Sequence, residues 1–296
     1  MRSTDRPLLG ILYANGGLVA MALNDAVIRG LSAAHSPLQI GFVRLLLMTI
    51  FVGALILGLR RTRLFVTRRI GLLGLRGALS AISTVTFFFS LKHLDEADVY
   101  SVALVAPIIV ALLSGRILGE YVPRLRWVTI LVGFVGVVVA LGPGVGLLNV
   151  WVLLALVSAA AYAFAMMLNR ILSRTEDSLT IVFYMSASAC VILLPSMPSV
   201  WKPIPLGDWL PLTVVGLLAS VAHYFMVQAY RYATAHTIIT FDYVSVLYVV
   251  IIGYTLFAQV PRWNMVFGLI LLVSCGVFII IDEARQHIRS PDELHR

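Results

Sequence analysis

Residues Asp95–Trp127 read DEADVYSVALVAPIIVALLSGRILGEYVPRLRW. Acidic residues open the stretch, an apolar run follows, Pro107 interrupts it, and arginines close it. A similar order returns at Ala233–Trp263 as ATAHTIITFDYVSVLYVVIIGYTLFAQVPRW. An apolar run of about 20 residues is what a helix needs to cross the hydrocarbon core. The stretch therefore reads as a membrane span with a helix breaker inside it, and its return points to an internal repeat.

The rest of the chain agrees. Of 296 residues, 60% are hydrophobic and only 12% charged, with a mean hydropathy of +0.97. Soluble domains carry about 25% charged residues. This composition predicts a polytopic all-α integral membrane protein lodged in the lipid bilayer. The net charge of +8 sits in short loops between apolar runs, so it reports orientation and does not indicate a nucleic-acid partner. Ten spans are expected, near 8–30, 37–59, 70–91, 97–117, 125–142, 148–169, 178–197, 209–230, 236–258 and 263–281. The first is read as a retained span, because it is long and contains Asn24 and Asp25. With the N-terminus inside, 16 of the 22 Lys and Arg residues fall in inside segments, 4 fall outside, and Arg44 and Arg76 lie within spans. That asymmetry places both termini in the cytoplasm and the chain, as a multi-pass protein, in the cell inner membrane.

The repeat can be followed residue by residue. At an offset of 141, Arg29 meets Arg170, Leu31 meets Leu172, Ser32 meets Ser173, Leu38 meets Leu179, Ile40 meets Ile181 and Phe42 meets Phe183. Near an offset of 138–140, Pro123 meets Pro261 and Gly136 meets Gly276. Five spans is an odd number, so the second half must enter the membrane upside down. Inverted repeats of this kind characterise secondary transporters, with the substrate site near the midplane between halves. The boundaries expected are 1–142 and 143–284 for the two five-helix repeats, with a cytoplasmic tail at 285–296.

The order of features resembles the EamA family of the drug/metabolite transporter superfamily. The first half carries a proline inside an apolar helix, "LGE" at 118–120 and then a glycine-containing helix, and the last two spans are similar as well. The resemblance covers nearly the whole chain. It implies ten helices in two inverted repeats and transport of a small metabolite. One position departs from the family pattern: Gln259 stands where an acidic residue usually ends the ninth helix, whereas Glu120 keeps the first-half version.

Polar groups inside spans are costly and usually face the bundle interior. Asn24, Asp25, Arg44, Tyr100, Tyr162, His223, Asp242 and Tyr243 are therefore the candidates to line a solute pocket. Asp25 and Asp242 are the carboxylates suited to proton coupling. Arg44 either snorkels to the outer interface or is held inside, where an Asp25–Arg44 ion pair is expected. Arg76, close to a span end, reads as an interface anchor, and Asp95, Glu96 and Asp98 read as a solvated loop. Pro107 is expected to kink its helix beside a small-residue stripe of Ala103, Ala111 and Gly115. The second copy lacks the proline, so the halves are not expected to be equivalent. The glycines Gly71, Gly74, Gly77, Gly133 and Gly136 read as packing positions.

No ATP-binding motif is present, so energy must come from a gradient, with protons or a counter-substrate as partner. The six histidines form no ligand-spaced cluster, and no metal or cofactor is expected. The reading is a secondary transporter of a small organic metabolite, an amino acid or a related compound, with export favoured. An importer of the same fold and, further off, a membrane-embedded enzyme are the alternatives.

Overall fold

The computed structural model describes residues 6–32, 34–94, 96–141, 150–257 and 263–289. Within these the fold is all-helical, without strands. The helices are α1 (Pro7–Leu31), α2 (Pro37–Gly58), α3 (Ile70–Leu91), α4 (Glu96–Ala103), α5 (Ala106–Leu118), α6 (Arg124–Leu141), α7 (Val150–Leu172), α8 (Ser178–Leu193), α9 (Met197–Val200), α10 (Trp209–Tyr232), α11 (Ala235–Thr240), α12 (Asp242–Phe257) and α13 (Trp263–Arg289). By length and hydropathy, seven segments can cross a membrane: 7–31, 37–58, 70–91, 150–172, 178–200, 206–232 and 235–256. Of the other three expected spans, 97–117 is met by α4 and α5, 125–142 by α6 and 263–281 by the apolar part of α13.

Local chemistry sets the helix ends. Pro7 and Pro37 lie in the first turns of α1 and α2, where a missing N–H is harmless. The Asp177 carboxylate accepts from the Leu179 N–H at 2.9 Å and caps α8. Pro107 does not kink a continuous helix, as the sequence led one to expect. The chain breaks at Leu104–Val105, and Pro107 lies in the first turn of α5. The second copy breaks too, at Phe241, without a proline. The stripe beside Pro107 is likewise interrupted: Ala103 lies across the break, Ala111 is buried and Gly115 is exposed.

The most extensive packing joins α1 to α10, α3 to α7 and α6 to α13, followed by α3 with α8, α2 with α10 and α2 with α8. Each of these pairs takes one helix from before residue 142 and one from after 149, so the two stretches interleave. Close approaches occur at particular glycines. A Cβ on Gly77 would collide with Ser188 Oγ and stand 2.7 Å from the Met185 carbonyl oxygen, at the α3–α8 contact. Gly133 accommodates the Tyr243 ring, and Gly136 faces Gly268 and Leu271. Gly71 and Gly74 meet nothing within 4 Å, so the expected packing role is confined to Gly77 in that run. Gly77→Ala should lower stability by about 1–3 kcal/mol, the typical cost of overpacking. Thermal unfolding of the detergent-solubilised protein measures it; Gly74→Ala serves as the neutral control.

Candidate functional site

Two polar layers lie inside the bundle. In the first, the Asn24 side chain is fully buried and its Nδ2 donates to the Val215 carbonyl at 2.6 Å, tying α1 to α10. Its Oδ1 accepts from Arg44 Nη1 at 3.4 Å. Arg44 thus has a partner on α1. Asp25, the next residue on α1, feels the Arg44 charge, yet no ion pair joins them within 4.0 Å, so the expected salt bridge is not formed. His223 of α10 lies in the electrostatic reach of both Arg44 and Arg76.

Asp25, Arg44, His223 and Tyr162 share an unusual combination. All four lie within helices long and apolar enough to cross a membrane. Even so, Asp25 keeps an exposed surface and the other three are half-buried. Arg44→Ala should therefore leave the folded yield near wild type, since no buried ion pair is broken. Size-exclusion recovery from membranes checks this.

The second layer lies closer to the arginine-rich end. The Tyr162 hydroxyl of α7 donates to Asp242 Oδ2 at 3.0 Å. Asp242 begins α12, directly after the break at Phe241, and is buried; its Oδ1 has no hydrogen-bond partner. Arg76 is 1% exposed, so it is no interface anchor. Its Nε donates to Asn169 Oδ1 at 2.9 Å, and its Nη1 donates to Ser80 Oγ one turn along α3. Tyr162 and Tyr230 are both within its electrostatic reach.

Two sequence candidates do not join either layer. Tyr243 is a core side chain, 1% exposed, packed on Gly133 with Ile130 and Leu272. Tyr100 is exposed and meets the Phe87 ring edge-on, with centroids 5.4 Å apart. Conversely, the sequence reading took Arg76 for an interface anchor and did not single out Asn169 or Tyr230. Gln259, Pro261, Asp95 and the chain beyond 289 lie outside the described residues, as do the side chains of Glu96 and Asp98.

Beneath the second layer is a charged knot. Gly119 ends α5 in the left-handed conformation at φ +66°, a position that favours glycine. The turn aims Glu120 inward, where it is 8% exposed. Glu120 Oε1 accepts from Arg170 Nε at 2.8 Å, and Oε2 accepts from the Ala235 N–H at 2.9 Å. Arg170 Nη1 also donates to the carbonyls of Tyr230 and Arg231. The knot thus fastens the α5–α6 connection to α7, α10 and α11. Burial alone would push the Glu120 carboxyl up. The His236 ring 3.8 Å away, the hydrogen bond and charge of Arg170, and the Ala235 N–H outweigh it and hold the carboxyl below its ordinary value. A depressed carboxyl stabilises the fold above its unfolded pKa and loses that contribution as pH falls through the folded one. Acid should therefore destabilise the protein below about pH 4, and Glu120→Gln should flatten that dependence. Unfolding midpoints across pH 3–7, an order-of-magnitude window around carboxylate titration, measure it.

Comparisons with known proteins come from three directions. The family model of the EamA-like transporter family matches residues 8–142 and 149–281. The pseudopaline exporter of Pseudomonas aeruginosa is 26% identical over 90% of this chain and 94% of its own. The S-adenosylmethionine uptake transporter of Rickettsia prowazekii is 25% identical over 94% of each chain. The riboflavin transporter of Brucella anthropi is 28% identical over 74% of this chain and 79% of its own. A crystal structure superposes with a TM-score of 0.77 over 96% of this chain and 98% of that one, at 18% identity, a likeness of fold alone.

Proposed function

We propose that this chain, which belongs to the EamA-like transporter family, is a secondary transporter that moves a small organic solute across the cell inner membrane by alternating access. It is a multi-pass membrane protein, and its relatives are named as transporters of small organic solutes. Gradient coupling or exchange supplies the energy. The observation that carries the reading is a set of polar side chains within spans of both halves, Asp25, Arg44, His223 and Tyr162, that keep accessible surface and that we take to line a cleft. Accessible surface falls from exposed Asp25, through half-buried Arg44 and His223, to buried Asp242 and Arg76. We read this as a conformation open toward the outside and closed at the cytoplasmic, arginine-rich end by the Glu120 knot.

The packing supports two inverted five-helix repeats at 1–142 and 143–284. Let α1, α2, α3 and α6 exchange with α7, α8, α10 and α13, and α4–α5 with α11–α12. The α1–α10 contact then becomes α7–α3, α3–α8 becomes α10–α2, and α2–α8 and α6–α13 map onto themselves. A two-fold arrangement of this kind is what rocking of one half against the other requires. Export is the favoured direction; the uptake named for the Rickettsia relative keeps import as the second reading.

The test is sided accessibility. In a Cys190→Ser, Cys275→Ser background, His223→Cys should react with an impermeant thiol reagent from the outside. Adding Glu120→Ala should shift its reactivity to the inside. Labelling from one side only, whatever the state of Glu120, would count against alternating access.

A further inference from the structure

The role of Arg76 is not explained by structure alone. A guanidinium carries five N–H donors and cannot shed its charge. Arg76 is almost fully buried, about 9 Å along α3 from its first residue. Its hydrogen-bond partners, Asn169 and Ser80, are both neutral. Among the described residues, no carboxylate lies within 4.0 Å of it. A buried charge without a counter-ion is expensive, and in membrane proteins it marks a functional position.

One buried donor in its surroundings is unused. The Tyr230 hydroxyl is fully buried and has no hydrogen-bond partner. The Tyr162 hydroxyl is engaged by Asp242. Both tyrosines sit in the electrostatic reach of Arg76 and of Asp242, Tyr230 also in that of Glu120, and His223 feels both Arg76 and Arg44. Free N–H donors of a guanidinium with a phenolic O–H beside them match a carboxylate, which takes two parallel bonds from arginine and has lone pairs left for a hydroxyl. We propose that Arg76 and Tyr230 form the binding subsite for a carboxylate group of the transported solute. The subsite deepens the transport reading above and rests on it.

Its position also explains when it opens. Asn169, which holds Arg76, is followed in sequence by Arg170, which holds Glu120. Arg170 in turn grips the carbonyl of Tyr230. The subsite is thus joined to the knot through Asn169–Arg170 and through Tyr230. In the present conformation Arg76 is covered; the solute reaches it as the two halves rearrange.

The test uses proteoliposomes loaded with the carboxylate fraction of a bacterial metabolite extract, and others loaded with the same fraction after methyl esterification. Mass spectrometry reads what each releases under a pH gradient and under exchange. Wild type should release members of the carboxylate fraction and leave their esters behind. Arg76→Gln should weaken that release at least tenfold, about 1.4 kcal/mol, and Arg76→Lys should restore part of it. Tyr230→Phe, which removes a hydroxyl without a protein partner, should raise the half-saturating concentration while leaving thermal stability unchanged. If Arg76 were only a brace between α3 and α7, both substitutions would act on all solutes alike, or Tyr230→Phe would do nothing; either result overturns the subsite. Release of esters and neutral solutes equal to that of carboxylates overturns it while leaving transport standing. No selective release from any fraction overturns transport and subsite together.

Discussion

Asp242→Asn should abolish solute movement driven by a pH gradient, down to the level of protein-free vesicles, and leave solute–solute exchange intact. Asp242 is buried at the first residue of α12, immediately after the helix break at Phe241. One carboxylate oxygen accepts from the Tyr162 hydroxyl and the other has no protein partner. Asparagine has the same shape and can still accept from Tyr162, so the fold and the solute path are preserved. What it cannot do is gain and lose a proton. The unpartnered oxygen is the atom available for that proton, and substrate and coupling-ion sites of transporters are typically formed by discontinuous helices. Parallel measurements of pH-driven uptake and of exchange in the same proteoliposomes decide the matter. Unchanged pH-driven transport would remove Asp242 from the coupling role and leave Asp25 as the remaining carboxylate on the cleft.

Glu120→Ala should cost about 3–5 kcal/mol of stability, because it removes the carboxylate that accepts from the buried Arg170 Nε. Arg170 and Glu120 side chains are each only 6% exposed, so water cannot easily replace the lost partner. The Ala235 N–H would lose its acceptor as well. Arg174, nearly half exposed and 3.6 Å from Glu120, is a weak contributor by comparison. A double substitution, Glu120→Ala with Arg170→Leu, should recover much of the loss, since a buried charge pair replaced by apolar groups is often close to neutral. Unfolding midpoints of the single and double variants give the coupling; additive losses would mean that the two residues act independently.

Much of the fold was legible because a membrane imposes one strong rule. Each span must be about 20 apolar residues long, so hydropathy marks α1, α2, α3 and α7 almost to their ends. The helix breaks were harder. Pro107 signalled the first, although it proved to start a helix and not to bend one. Nothing in the sequence at Phe241 signals the second, because the break there depends on what surrounds it. Polar residues placed deep in a span were the more useful signs: Arg44 bonds Asn24, and Tyr162 bonds Asp242. Aromatic residues gave no such guide. Tyr243 fills the space that Gly133 leaves, and Tyr100 packs on Phe87, uses of an aromatic ring that look identical in sequence. Arg76 was misread because a position near a span end serves equally for an anchor or an interior charge. Ser80, one turn later on the same face, was the available hint.

The central claim is that this chain moves a small organic solute, and it is tested most directly without guessing which one. Purified protein is reconstituted in liposomes loaded with a whole cellular metabolite extract, and mass spectrometry identifies what escapes relative to protein-free vesicles. Selective loss of one chemical class, enhanced by a pH gradient or by external exchange partner, is the predicted result. Escape indistinguishable from protein-free vesicles under both conditions would contradict it.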